Sequence, residues 1–264
     1  MCANILVDIG NSCVTAALSG ARGPGRIRRM PTSADRPATV RAWLHSLTSS
    51  TKPDGAAICS VVPTATPVWQ SELRRITGRE PLLIRHTLQL GIRIKYPRPA
   101  TIGADRLANA AAAFNLYGAP VIVADFGTAL TVDAVDADGC FIGGLIMPGP
   151  AFFLDYLADR TASLPRIPMP SANAARRAIA RSTRAAMRAG AILGWRGMFR
   201  EALAAIRTEL PPSAAVCVTG GYARHVLSGT DFNVRFNPHL TLHGIQIIIN
   251  LNLSRMTQSL ETEK

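Results

Sequence analysis

Two segments of this chain, 117 residues apart, carry the same pattern. I-L-V-D-I-G-N-S around Asp8 and V-I-V-A-D-F-G-T-A around Asp125 each run an apolar strand into an aspartate, one further residue, a glycine and a small polar residue. A second apolar stretch follows in both places, so each reads as strand, tight turn and returning strand. Each copy must bury a sheet of its own. Duplicated halves that mix strands with helices predict two α/β domains facing each other across a cleft. The boundary is expected near Gly118, giving 1–117 and 118–264.

The remaining elements follow from periodicity and from turn residues. In the first half, strands are expected at 56–63 and 82–84 and an extended stretch at 90–99. Helices are expected at 37–47, 68–77 and, through a run of alanines, 105–117. Residues 20–37 read as loop with one short strand. In the second half Asp138-Gly139 makes a hairpin turn before a strand at 140–147. Helices follow at 150–160, 173–190 and 191–209, then a strand at 215–218, a Thr219-Gly220-Gly221 turn and a helix from 222. Residues 241–253 read as a closing helix.

The two turns suggest chemistry. Backbone N–H groups are exposed at such a turn, and glycine lets a ligand approach them, which makes a nest for phosphate. Asp8 and Asp125 supply hard oxygen donors suited to magnesium or a monovalent cation. Asn11, Ser12 and Thr128 add polar groups of little bulk. Two such turns could grip a polyphosphate, and the paired glycines at 220–221 could let a flat ligand lie on the backbone. Asp105 and Arg106 stand where the alanine-rich helix begins. There a carboxylate could take a proton from a hydroxyl and a guanidinium could fork onto an anion. The structural alternative is that Asp105 only caps the helix and Arg106 is solvated.

Other classes are excluded or disfavoured. Asp125-Phe126-Gly127 spells the magnesium triplet of protein kinases, but H-R-D, V-A-I-K and G-x-G-x-x-G are missing. No Gly-Lys pair exists, so there is no P-loop. The five cysteines form no C-x-x-C pair and read mostly as buried apolar residues, with neither zinc nor disulfides. The N-terminal M-C-A-N-I-L-V-D-I-G lacks a basic region and Asp8 interrupts its apolar run, so a signal peptide is not expected. No long apolar span occurs, and a cytoplasmic protein without membrane contact is expected. The net charge of +12, from 29 basic residues of which 26 are arginine, favours anionic partners. Arg176, Arg177, Arg181, Arg184 and Arg188 fall at helical spacing. No aromatic residues interleave with them, so a solvated face is preferred to a nucleic-acid surface. His239 and His243 lack the acidic residue of a zinc-protease helix and read as structural. Phe152, Phe153 and Tyr156 are expected in the core or at a subunit contact.

In combination these motifs resemble the type III pantothenate kinase family of the actin-like ATPase superfamily. They are Asp8-Ile9-Gly10-Asn11-Ser12, Ser60-Val61-Val62-Pro63, Gly103-Ala104-Asp105-Arg106, Asp125-Phe126-Gly127-Thr128, Gly143-Gly144 through Pro148-Gly149, Leu164-Pro165, Thr219-Gly220-Gly221 and Pro238 through Gly244. The resemblance implies two ribonuclease-H-like domains related by duplication. It implies ATP-dependent phosphorylation of pantothenate to 4′-phosphopantothenate, the first step of coenzyme A synthesis. By position, Asp105 matches the family's catalytic base. Tyr96, Gly103, Ala104, Arg106 and Thr183 match its pantothenate contacts. Asp8, Gly10, Asn11, Ser12 and Thr15 match the first phosphate hairpin, and Gly127 and Thr128 the second. Asp8 would hold magnesium through water, and Asp125 a potassium or ammonium ion. A homodimer is also implied. Ser12 replaces the commoner threonine, Cys13 a more polar residue, and the segment before Thr183 lacks an expected glycine. The alternatives are a catalytically idle nucleotide-binding regulator of the same fold, and a sugar or acetate kinase of the superfamily.

Overall fold

The computed structural model describes residues 3–262 apart from 22 and 50; Met1 and Cys2 of the N-terminal reading lie outside the described residues. The chain begins with β1 (Asn4–Ile9), β2 (Cys13–Gly20), β3 (Gly23–Pro24) and β4 (Arg28–Pro31). Then come α1 (Pro37–Thr48), β5 (Gly55–Ser60), α2 (Thr66–Thr77), β6 (Leu82–Leu83), β7 (Arg93–Ile94) and α3 (Ala104–Tyr117). The second run is β8 (Val121–Phe126), β9 (Ala129–Val135), β10 (Cys140–Pro148), α4 (Pro150–Arg160) and α5 (Thr183–Thr208). It closes with β11 (Ala215–Thr219), α6 (Ala223–Leu227), β12 (Arg235–Phe236) and α7 (Leu240–Thr262).

Two compact units result. One comprises the chain up to Leu116 together with the segment from His239 onward; the other is Tyr117–Pro238. The closing segment was expected to stay with the second half. Instead α7 packs on β1, β2, β3 and β5 of the first unit. Its apolar residues Leu242, Ile245, Ile248 and Ile249 are buried there. The crossing is close: a Cβ on Gly244 would overlap the Ala108 carbonyl of α3. The alanines of α3, buried from Ala110 to Ala113, keep that helix slim enough for such an approach.

Both units repeat one core. In the first, β1 pairs antiparallel with β2 and parallel with β5. In the second, β8 pairs antiparallel with β9 and parallel with β11. Asp8 lies opposite Thr15 and Cys59, and Asp125 opposite Thr131 and Thr219. The two aspartates therefore hold equivalent places, each one residue before the end of its central strand. On one face of the first sheet Ile5, Val7, Ile9 and Ile58 meet Val40 and Leu44 of α1 and Trp69 and Leu73 of α2. In the second unit Ile122, Ala124 and Phe126 meet Ile192, Trp195 and Phe199 of α5.

Several local expectations change. Residues 20–37 hold two short strands, β3 and β4, rather than one, followed by a turn of 3-10 helix. The two helices expected at 173–190 and 191–209 are one, α5, since no proline or cap interrupts the sequence after Ser182. The Ser182 hydroxyl starts that helix by accepting a hydrogen bond from Ala185 N–H at 3.3 Å. Arg177 and Arg181 consequently precede the helix, so the arginines form no single helical stripe; the side chain of Arg176 lies outside the described residues. Cys59 and Cys217 are buried, but Cys13 is exposed and Cys140 only partly covered, while Cys2 lies outside the described residues. Phe152, Phe153 and Tyr156 are exposed rather than in the core. Among the described residues no helix is long and apolar enough to cross a membrane.

Candidate active site

In the first unit the candidate residues gather at the carboxyl ends of the parallel strands β1 and β5, the usual ligand-binding end of an α/β sheet. Asp8 and Thr15 face each other across the β1–β2 pair, so their side chains leave the sheet on one side. Gly10, Asn11 and Ser12 form the turn between those strands. Its closure is a hydrogen bond from Gly10 N–H to the Cys13 carbonyl at 3.1 Å. Asn11 and Ser12 are exposed. Thr32, which the sequence reading did not select, braces this turn by donating its hydroxyl to the Gly10 carbonyl at 2.6 Å.

The start of α3 is tied to the same end of the sheet. Val61 N–H donates to the Ile9 carbonyl at 3.1 Å, and the Val61 side chain lies beside Gly103. Gly103 leaves room for the candidate base: a Cβ on it would stand 2.5 Å from Asp105 Oδ1 and would displace that carboxylate. Asp105 Oδ1 accepts a 2.8 Å hydrogen bond from Arg106 N–H, one of the unpaired donors at a helix start. The capping alternative thus describes a real contact. Burial pushes the Asp105 carboxyl above the ordinary aspartate range. The Arg106 N–H hydrogen bond and the Arg106 charge pull it partly back. Arg106 is buried, not solvated as that alternative supposed. Ala104 opens the helix beside them, and Tyr96, just after β7, is half-buried.

The second unit builds its turn from Gly127 and Thr128, one residue shorter than the first. Gly127 N–H closes it on the Ala129 carbonyl at 3.0 Å, with Thr128 exposed. The Thr219-Gly220-Gly221 turn lies directly on this hairpin. Gly220 has φ 95°, and a Cβ there would stand 2.5 Å from Asp125 Oδ1 and from the Phe126 nitrogen. Tyr222 N–H donates to the Phe126 carbonyl at 3.0 Å. Gly220 is therefore explained by packing against Asp125 rather than by a ligand; the open space is at Gly221. Gly149, the last residue of the motif that begins at Gly143, sits against the Thr128 carbonyl. Thr183 is the exposed first residue of α5 in this unit.

The family profile described as type III pantothenate kinase matches residues 4–205. The type III pantothenate kinase of Thermomicrobium roseum is 36% identical over 248 residues, covering 92% of this chain and 95% of its own length. That of Akkermansia muciniphila is 39% identical over 210 residues, covering 80% and 84%. Among solved structures, MreB 5 of Spiroplasma citri bound to AMPPNP superposes with a TM-score of 0.53. It is 11% identical and covers 100% of this chain and 99% of its own, a likeness of fold alone.

Proposed function

The chain belongs to the type III pantothenate kinase family, and we propose that it transfers the γ-phosphoryl group of ATP to the primary hydroxyl of pantothenate. The product is 4′-phosphopantothenate, the first step of coenzyme A synthesis. The observation that carries the assignment of roles is Asp105: a half-buried carboxylate of raised proton affinity, fixed at the start of α3 beside the end of β1.

Asp105 accepts the hydroxyl proton as the acceptor oxygen bonds to phosphorus and the bond to the leaving ADP breaks. Its raised proton affinity makes it a stronger base than an exposed aspartate. Gly103, Ala104 and Arg106 with Tyr96 bind pantothenate in this reading, and Thr183 adds a contact. In this reading ATP phosphates lie at the exposed turn of Asn11 and Ser12, shaped by Gly10 and Thr15, and at the Gly127–Thr128 turn, where Thr128 makes the contact and the Gly127 amide keeps the turn closed. Among the described residues no three His, Cys, Asp or Glu side chains converge on one point. That donor set fits a magnesium ion brought in by the nucleotide, with Asp8 reaching it through water, rather than a cage made of protein alone. Magnesium, when bound, neutralises charge on the phosphoryl oxygens. Asp125 would hold a potassium or ammonium ion.

The active protein is a homodimer in this reading, working in the cytoplasm. Leu145 of β10, Phe152, Phe153 and Tyr156 of α4 and Leu193 of α5 are exposed apolar side chains of the second unit that a second copy would cover. The decisive assay supplies purified protein with ATP, magnesium and potassium. 4′-Phosphopantothenate is the expected product, and its absence with folded protein rejects the assignment. Replacing potassium with tetramethylammonium is expected to weaken ATP binding; unchanged affinity removes Asp125 from cation binding.

A further inference from the structure

A cavity of about 450 Å³ opens in the first unit, at the carboxyl ends of β5 and β6. It is not the face that carries Asp8. Along β5 successive side chains alternate between faces. Cys59 pairs with Asp8 and leaves the sheet on its side. Ile58 and Ser60 leave it on the other side, with α2, and both line the cavity.

The 102–105 turn is divided in the same way. Ile102 and Ala104 line the cavity, whereas Gly103 meets Val61 and the Asp105 carboxylate. One short segment therefore forms the wall of the cavity and also the support of the candidate base.

The lining is built for a particular chemistry. Leu83 and Ile84 continue the apolar wall begun by Ile58. The lining also holds Arg85, His86 and the amide of Gln70, and no carboxylate. Gln70 Nε2 leans toward the exposed Glu80 at 3.5 Å, outside the cavity. Ser60 and Thr66 also line it, and their hydroxyls serve each other and the backbone rather than a ligand: Ser60 Oγ and Thr66 Oγ1 share a 2.7 Å hydrogen bond. Their positions are fixed, since Thr66 donates to the Val62 carbonyl at 2.8 Å and Ser60 accepts from Val62 N–H at 3.1 Å. A cavity in the size range of small-ligand sites, lined by apolar side chains together with a guanidinium and an amide, suits an amphipathic anion.

We propose that this cavity is a second binding site, for a small acid bearing a carboxylate or phosphate and a short alkyl portion. The acid group sits at Arg85, within reach of the Gln70 amide, and the alkyl portion lies on Ile58, Leu83 and Ile84. Occupancy presses on Ile102 and Ala104 and so adjusts the turn that carries Asp105. Binding itself does not rest on the kinase reading.

The test follows backbone amide shifts of the full chain titrated with hexanoate, with butyl phosphate and with 1-hexanol as the neutral arm. The two acids distinguish a carboxylate from a phosphate head. The acid that binds is expected to shift Thr66, Leu83 to His86 and Ile102. Arg85→Gln is expected to weaken it by about tenfold, the loss of one charge-assisted contact, and Arg85→Glu by more. The Asn11 and Ser12 amides are expected to stay unmoved by the acid that binds here. Shifts confined to those turn amides, equal binding of hexanol, unchanged affinity in both Arg85 variants, or no shift with either acid overturns the proposal.

Discussion

Asp105 sits in a compromise that can be measured. Burial raises its proton affinity, so the folded state favours the neutral form. The linkage has a definite sign. A carboxyl whose folded pKa lies above its unfolded value contributes stability in acid, and that contribution is lost as pH rises through the folded pKa. Asp105→Asn is therefore expected to melt higher than the parent near neutrality, with the difference vanishing in acid. Asn keeps an oxygen to accept from Arg106 N–H, so the fold should survive. Phosphoryl transfer should fall at least about a hundredfold, as for loss of a general base. Calorimetry across pH, beside single-turnover assays, checks both halves. A variant that melts lower near neutrality, or turns over normally, removes this account of the residue. Asp105 and Arg106 were legible as a pair, because an acid beside an arginine at a helix start is visible in the letters. The burial of Arg106 was not legible, since a helix start beside an acid is equally compatible with a solvated arginine, and only packing decides.

At the scale of elements, the two hairpins show how a repeated sequence pattern becomes a repeated geometry. Alternation along β1 and β8 fixes which face each aspartate takes, and this follows from sequence. What presses on each turn does not. Gly220 fits because its φ of 95° and missing side chain let the turn after β11 settle on Phe126 and Asp125. Gly220→Ala adds a Cβ where both the backbone angle and the space oppose it. We expect a loss of about 2–4 kcal/mol in unfolding free energy from the combined strain and overlap. ATP affinity should fall with it, while Gly221→Ala, in open space, should leave stability nearly unchanged. Denaturant titration of the two variants decides; equal stability would mean that the Gly220 contact contributes nothing. The long α5 illustrates the opposite problem. Gly190, Gly194 and Gly197 weaken the helical signal, and only its burial against the second sheet through Ile192, Trp195 and Phe199 sustains one unbroken helix.

For the whole molecule, the chain leaves the first unit, builds the second and returns. The length of the returning helix and its target were beyond reach of local pattern. A β-branched run at 247–249 reads weakly as helix, and α7 forms because its apolar residues find cover on the first sheet. The proposed dimer belongs to this scale as well. Leu193→Glu puts a charge on the exposed apolar surface of the second unit without touching its core. Sedimentation is expected to show a dimer for the parent and a monomer for the variant. A variant that stays dimeric places the contact elsewhere.

By itself the sequence determined the duplication, the two D-x-G turns, the Gly103–Arg106 segment and the family they resemble. These are local patterns, and spacing, turn residues and strand alternation suffice to read them. The tertiary structure alone decided the return of α7 to the first unit, the seat of Gly220 on Asp125, the burial of Arg106 and the cavity behind the 102–105 turn. Each of those depends on contact between segments distant in the chain, where removal of apolar surface from water and close packing, rather than local propensity, set the outcome.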